Sequence, residues 1–278
     1  MRTLVHLSDL HFGRVDHSLL KPLRELVERI DPDVLVVSGD LTQRARAEQF
    51  EEARAFLDTL PGPQIIVPGN HDISLYNVFR RFVKPLERYK RYITDDLDPV
   101  YIDDEIAVLG VNTARSFTIK DGKVSRDQLA LLRRQLAGVP AAVTRIVVAH
   151  HPFDLPEHFE ERDLVNRAPR AMKAFAENGV DILMGGHMHA SHAGSTAARY
   201  GFSEYAALVV QAGTATSTRG RGEVNSFNVV RVEPQQVEID RYGWDVVHGH
   251  FEVVDTDKFM RTGSVWTAHN DGLMAAGL

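Results

Sequence analysis

The residues able to do chemistry in this chain are carboxylates, amides, hydroxyls and imidazoles, because it has no cysteine. A thiol nucleophile, a disulfide framework and a thiolate metal site are all ruled out. The 13 histidines then become the first feature to account for. Six of them fall in motifs that stand out together: Asp9-Leu10-His11, Gly39-Asp40, Gly69-Asn70-His71-Asp72, His150-His151-Pro152 and Gly186-His187-Met188-His189. Carboxylate oxygen, amide oxygen and imidazole nitrogen suit Mn, Fe, Zn or Co better than Ca. In Asp9-x-His11 and His187-x-His189 the two side chains share a face of extended backbone. Each pair can thus reach one centre or two neighbouring ones. Taken singly, Asp-x-His is commonly a turn or cap, and His-x-His a surface pair. Only the five motifs together indicate a metal centre.

The elements that must position them come next. Each motif follows a short apolar run, at residues 4–7, 34–37, 65–67, 145–149 and 180–184. Between the first three runs lie stretches of helical spacing. One carries Leu19, Leu20, Leu23, Leu26, Val27 and Ile30; the other, over 47–60, carries Phe50, Ala53, Phe56 and Leu57. This strand–helix alternation predicts parallel strands joined by crossover helices. In such sheets ligands bind at the carboxyl ends of the strands, where all five motifs sit. Further helices are expected over 78–92 (one or two), 126–136 and 164–178, with a strand at 106–111. From 206 onward the pattern is of strands, at 208–211, 226–232, 236–242 and 249–254, and it fades after Asp255. A single α/β domain over residues 1–278 is expected, with about 255–278 as a flexible or packing C-terminal extension.

Composition narrows the class. With 278 residues, 44% hydrophobic and 25% charged, the chain is an ordinary globular one rather than a disordered tail or a rod. Its 32 Lys and Arg against 38 Asp and Glu leave a net charge of −6. That balance argues against broad binding to a nucleic-acid backbone, while a small anion held by a local positive site remains compatible. The longest apolar stretches, 146–149 and 206–210, fall far short of the ~18 residues that span a bilayer. The opening run lacks the basic-then-apolar pattern of a leader, so a cytoplasmic location is expected.

In order and approximate spacing, Asp9-x-His11, Gly39-Asp40, Gly69-Asn70-His71-Asp72, His150 and Gly186-His187-x-His189 resemble the calcineurin-like metallophosphoesterases. The resemblance covers about residues 1–232. It implies a four-layer αββα sandwich of two mixed β-sheets flanked by helices, with two divalent metal ions, Mn or Fe in preference to Zn or Co. Asp9, His11 and His189 would bind the first metal and Asn70, His150 and His187 the second, with Asp40 bridging. His71 would face substrate as general acid or transition-state stabiliser, and Asp72 would orient it. Choosing His150 over His151 follows the family's use of the first histidine after the strand.

The expected chemistry is hydrolysis. Two cations bring about +4; two carboxylates and a bridging hydroxide leave roughly +1, which complements a phosphodiester. The metal-bridging hydroxide would attack phosphorus in line with the leaving group. The opening Asp9-Leu10-His11-Phe12-Gly13 resembles bacterial phosphodiesterases, including those acting on cyclic nucleotides. Leu41-Thr42-Gln43-Arg44-Ala45-Arg46 after Asp40 departs from the family's protein phosphatases. A small phosphodiester is thus the expected substrate. The alternatives are a phosphomonoester, a nucleotide-lipid pyrophosphate (which would need an apolar groove near the metals) and a non-catalytic metal-binding scaffold. Candidate substrate contacts are His192, Asn112, Arg115, and Arg219 or Arg221. The basic, aromatic segment 80–91 reads as a lid, a homodimer surface or an ordinary solvated helix.

Overall fold

Successive residues of a strand point to opposite faces, and here both faces of the first strands are apolar. Burying both requires a layer on each side. The computed structural model describes residues 1–74, 78–116, 121–156, 161–219 and 222–269, with the backbone alone at 78–80 and 162. The chain opens with β1 (Arg2–Leu7), α1 (His17–Ile30), β2 (Val34–Val37), α2 (Ala47–Leu57) and β3 (Gln64–Ile66). A 3-10 turn, Asn70–Asp72, precedes the short helices α3 (Val78–Val83) and α4 (Glu87–Tyr92). Then come β4 (Val100–Ile102), β5 (Ile106–Gly110), α5 (Arg126–Leu136), β6 (Thr144–Val148), α6 (Ala168–Glu177) and β7 (Ile182–Gly185). The last part holds β8 (His192–Ser195), α7 (Ala197–Tyr200), β9 (Leu208–Gln211) and β10 (Ser226–Val232). It ends with β11 (Gln236–Asp245), β12 (His250–Thr262) and β13 (Val265–Ala268).

Among the described residues these strands form two mixed sheets, ordered β13-β12-β11-β10-β1-β2-β3 and β4-β5-β6-β7-β9-β8. Leu4, Val34, Val36 and Ile65 of the first sheet meet Val108, Ile146, Val148, Ile182 and Val210 of the second in a buried inter-sheet layer. Val5, Leu7, Leu35 and Val37 point the other way, onto Leu19, Leu23, Val27, Phe50 and Phe56 of α1 and α2. On the far side Leu109, Val147, Leu183 and Val209 pack on Leu129, Leu132, Met172 and Phe175 of α5 and α6. The four layers are helices, sheet, sheet, helices, as expected. Parallel pairs β1·β2, β2·β3, β5·β6, β6·β7 and β7·β9 bring the carboxyl ends of these strands to one edge.

Several elements differ from expectation, for local reasons. The helix expected over 164–178 starts only at Ala168, because Arg167 adopts left-handed backbone (φ 72°) and Pro169 favours a helix start. The segment 78–92 splits into α3 and α4 around Lys84-Pro85-Leu86. Within it Tyr89 is buried at 6.4 Å from the ring of Phe50, and Tyr92 stacks on the same ring at 6.3 Å. These two aromatics are therefore core, not lid; the side chains of Phe79 and Arg80 lie outside the described set. β4, β8 and α7 carry too little periodicity to read. The weakly patterned stretch after Asp255 is ordered sheet as far as Ala268, continuing β12 and adding β13 at the edge. No helix among the described residues is long and apolar enough to cross a membrane.

Trp266 explains why that stretch packs. It is 1% exposed within the inter-sheet layer, and its indole N–H donates to Asp181 Oδ1 at 3.4 Å. Trp266→Ala should lower the unfolding free energy by about 3–5 kcal/mol, the range for emptying a buried aromatic site. Urea denaturation checks this; an unchanged midpoint would make residues 265–268 a dispensable appendage.

Candidate metal centre

The loops after β1, β2 and β7 turn sharply, and the turns fall on the motif residues themselves. Asp9 (φ 53°), His11 (φ 51°), Asp40 (φ 52°), His187 (φ 73°) and His189 (φ 59°) all occupy the left-handed region. Non-glycine residues rarely do so, and such strain concentrates at functional sites. Gly69 and Gly186 allow close backbone approach: a Cβ would lie 2.1 Å from Asp40 Oδ1 at the first and 1.8 Å from Ser8 Oγ at the second.

Seven donor atoms converge as two groups. In one, His189 Nε2 lies 3.2 Å from both Asp9 Oδ1 and His11 Nε2. In the other, Asn70 Oδ1 lies 3.1 Å from both His150 Nε2 and His187 Nδ1, which are 3.2 Å apart. Asp40 Oδ2 stands between them, 3.8 Å from His11 Nε2 and 3.4 Å from His150 Nε2. Several of the remaining atoms of these side chains are held by the fold. Asp9 Oδ2 accepts from Ser8 Oγ (2.6 Å) and the His187 backbone N–H (3.0 Å). Asp40 Oδ1 accepts from the His71 backbone N–H at 2.8 Å. His150 Nδ1 donates to the Ser38 carbonyl (2.8 Å), and the ring of His189 turns Nδ1 to the Arg219 carbonyl (3.3 Å).

These donors fit divalent cations. Asp9 Oδ1 is buried and accepts no hydrogen bond among the described residues, although its partner oxygen accepts two. Twice, imidazole nitrogens face one another at 3.2 Å. A cation satisfies such an arrangement, and the two imidazole groups with carboxylate and amide oxygen are apt ligands for it. Asp9, His11 and His189 form one compact ligand triad; Asp9, Asp40 and His150 form another. His151 also comes within reach of His150 and His187. Its Nδ1 pairs with Thr113 Oγ1 at 2.8 Å, however, while His150 faces both Asp40 and Asn70.

The charges are strongly coupled to one another. Burial would raise the Asp9 and Asp40 carboxyls, but surrounding imidazoles, His11 and His189 at Asp9 and His150 at Asp40, hold both well below the usual range. Burial would lower His150, but the Asp40 carboxylate lifts it to about 9. Burial and the neighbouring His150 bring His187 down to about 3.

His71 lies beside the donors, its ring 5.0 Å from that of His11. Asp72 does not orient this imidazole, contrary to expectation. Its Oδ1 accepts from the N–H and hydroxyl of Thr42, and its Oδ2 from the N–H groups of Leu41 and Gly69. Asp72 thus ties the Asp40 loop to the Asn70 turn, and burial with the nearby Asp40 raises its carboxyl to about 6. The His71 ring is oriented by Gln43 instead, whose carbonyl accepts from Nδ1 at 2.9 Å. Arg219 Nη1 reaches His71 Nε2 at 3.3 Å and Gln43 Oε1 at 3.5 Å.

Of the candidate substrate contacts, Arg219 is therefore at the site, and Arg221 lies outside the described residues. Arg115 is tied to the Asn112 and Ala114 carbonyls and to Gln128 Oε1, so it braces the start of α5. Asn112 Oδ1 accepts from the Ala114 N–H. His192 sits half-buried on β8, lining a cavity of about 580 Å³ with Asp154, Leu155 and Arg199 and a smaller one of about 150 Å³ with Met188 and Gln211. The residues not anticipated were Gln43, Ser8 and Thr214, whose hydroxyl donates to the Asp9 carbonyl at 2.7 Å. Their only signal was a short distance in sequence from a motif or a strand end.

Comparison with known proteins agrees with this geometry. A family model described as calcineurin-like phosphoesterase matches residues 2–191. The chain is 29% identical over 174 residues to the glycerophosphodiester phosphodiesterase GpdQ of Enterobacter lignolyticus (strain SCF1), covering 55% of this chain and 58% of that protein. It is 23% identical over 201 residues to the 3′,5′-cyclic adenosine monophosphate phosphodiesterase CpdA of Escherichia coli (strain K12), covering 67% and 69%. The chain thus spans less than two thirds of the first relative's length and just over two thirds of the second's. A purple acid phosphatase, PPD1 from yellow lupin (Lupinus luteus), shares the fold with a TM-score of 0.69 at 13% identity, over 94% of this chain and 54% of that one. The family match takes in more than half of the chain and every one of the carboxylate, amide and imidazole residues of the two donor groups, and the chain belongs to the calcineurin-like phosphoesterase family.

Proposed function

We propose that this protein hydrolyses small phosphodiesters, of the glycerophosphodiester or cyclic-nucleotide type, at a pair of divalent cations. The observation that carries the reading is the sharing of Asp40 Oδ2 between two donor groups. Asp9, His11 and His189 would hold one cation and Asn70, His150 and His187 the other, with Mn or Fe in preference to Zn or Co. Bound divalent cations polarise phosphoryl oxygens and make a nucleophile from water at neutral pH. The chain's own groups do the rest. With two carboxylates set against two dications, the site keeps a positive balance that suits a singly charged diester. Arg219 stands at its mouth, where a guanidinium can pair with phosphoryl oxygens.

Burial lowers the proton affinity of His71, and Gln43 fixes its Nδ1–H, leaving Nε2 turned to the mouth. An arriving phosphodiester adds negative charge there. It draws Arg219 away and raises the imidazole's proton affinity. His71 can then take up a proton from solvent on Nε2 and deliver it to the leaving oxygen. A second reading, a nucleotide-lipid pyrophosphate, draws on one cavity. About 560 Å³ in volume and lined by Ile73, Val83, Leu86 and Leu97 together with Lys84, Asn112 and Arg115, it adjoins the Asn70–Asp72 turn through Ile73. A panel of cyclic nucleotides, glycerophosphodiesters and lipid diphosphates ranks the two readings by kcat/KM.

Mn²⁺-loaded protein should turn over bis-p-nitrophenyl phosphate and stop when chelated. Asp40→Ala should lose metal from both positions; a fully loaded variant would refute the shared carboxylate. His71→Ala should keep both metals and lose about 10²–10⁴-fold in kcat on an alkyl leaving group, and less on p-nitrophenolate, which leaves unprotonated. Falling metal content in that variant would remove His71 from the proton-transfer role. Proton linkage gives a further check. With His150 raised to about 9, the metal-free site carries a proton there at pH 7, and a cation on Nε2 must expel it. Mn²⁺ affinity should therefore climb with pH and level off near 9. Calorimetry in two buffers of different ionisation enthalpy should show proton release at pH 7; identical heats would count against it.

A further inference from the structure

The inter-sheet layer is aliphatic over most of its depth, yet one imidazole is buried in it. His6 is 0% exposed, on the same face of β1 as Leu4, with Val36 and Asn228 as its cross-strand neighbours. Burial holds its proton affinity down to about 3, so the ring is neutral at any working pH. A neutral polar ring in an apolar layer is retained where its hydrogen bond does something an aliphatic chain could not. His6 Nε2 pairs with Ser38 Oγ at 2.9 Å, while Nδ1 has no partner among the described residues. Ser38 is where the layer turns toward the metal centre. Its carbonyl takes the Nδ1–H of His150 at 2.8 Å, which aims Nε2 at Asp40 and Asn70. The same carbonyl is 3.4 Å from Ser8 Oγ, whose hydroxyl donates to Asp9 Oδ2 at 2.6 Å. This backbone carbonyl thus braces a ligand of the second donor group, and His6 is the side chain that grips its residue.

We infer that His6 is a positioning residue for the metal centre: through Ser38 it fixes the tautomer and aim of His150, and it sets affinity for the second cation. The inference rests on the proposed pair of cations. Groups that orient a ligand imidazole commonly govern about 10–100-fold in metal affinity. The mechanism used above asks nothing of His6, which touches neither substrate nor metal position.

The test is equilibrium binding of Mn²⁺ alone to full-length wild type, His6→Phe, His6→Gln and Leu4→Ala, with thermal unfolding recorded for each. Phe keeps ring volume without the hydrogen bond, Gln supplies an amide near Nε2, and Leu4→Ala loosens the same layer without touching Ser38. Wild type should take up two Mn²⁺. His6→Phe should keep one site and weaken the other about 10–100-fold, and His6→Gln should recover most of that loss. Leu4→Ala should unfold more easily with both affinities intact. Wild-type affinities in His6→Phe would overturn the inference, as would equal weakening in Leu4→Ala. If His6→Phe does not fold, Ser38→Ala removes the same hydrogen bond, and unaltered affinities there overturn it. Fewer than two Mn²⁺ on wild type would overturn the proposed function and this inference with it.

Discussion

Asp40 divides its carboxylate between the fold and the site. One oxygen is tied to the His71 backbone N–H, and the other faces both donor groups. Everything else at this edge follows from keeping that second oxygen buried, charged and shared. A buried carboxylate is tolerated only with compensating charge or hydrogen bonds, and here imidazoles supply it from both sides. The same crowding that makes the cluster costly without cations makes it a strong site with them. Left-handed backbone at five of the donor residues adds strain that a packed scaffold must absorb.

The scaffold absorbs it by being apolar on both sides of each sheet. Three buried clusters, one between the sheets and one under each helical layer, anchor the strand ends from which the loops depart. The inter-sheet layer changes character along its depth. Near the amino end of β1 it is Leu4 against Val34; near the carboxyl end it becomes His6, Ser8 and Ser38. The transition from aliphatic to polar is where packing energy is converted into ligand orientation. Asp72 works the same seam from the opposite side, binding the Asp40 loop to the Asn70 turn through four N–H and O–H donors.

What could be read from the sequence divides along that seam. The donors were legible because each lies within a few residues of a strand end, where local pattern and motif coincide. The parallel core was legible for the same reason. Pairings that skip along the chain were not: β10 lies beside β1, and β8 lies outside β9, with nothing local to say so. The stretch past Asp255 was opaque because an edge hairpin with one solvated face has little period, and its attachment rests on the buried rings of Phe259 and Trp266. Asp72 was misjudged by adjacency. Its neighbour in sequence is His71, but the 3-10 turn carries its carboxylate toward Leu41 and Thr42. Gln43, from another loop, took the orienting role through its carbonyl, an atom every residue possesses and no motif records.

Substrate choice must then come from elements other than the ligands. The seven donor atoms answer to cations, and cations held there would answer to phosphoryl oxygens, which any phosphate ester presents. For the proposed reaction, discrimination would fall to Gln43 and Arg219 at the mouth and to the cavity beyond Ile73, whose apolar wall is Ile73, Val83, Leu86 and Leu97. These differ in kind. A guanidinium responds to charge and rewards a phosphodiester whatever its ester group. An apolar cavity responds to area, at about 25 cal/mol per Å² buried, and rewards ester groups with hydrocarbon or ring surface. A glycerol ester would gain little from the cavity and rely on the mouth, whereas a nucleoside or acyl group would gain from both. Relative kcat/KM for esters of rising apolar area at constant charge therefore reads the cavity alone, because the metal centre and Arg219 contribute equally to each.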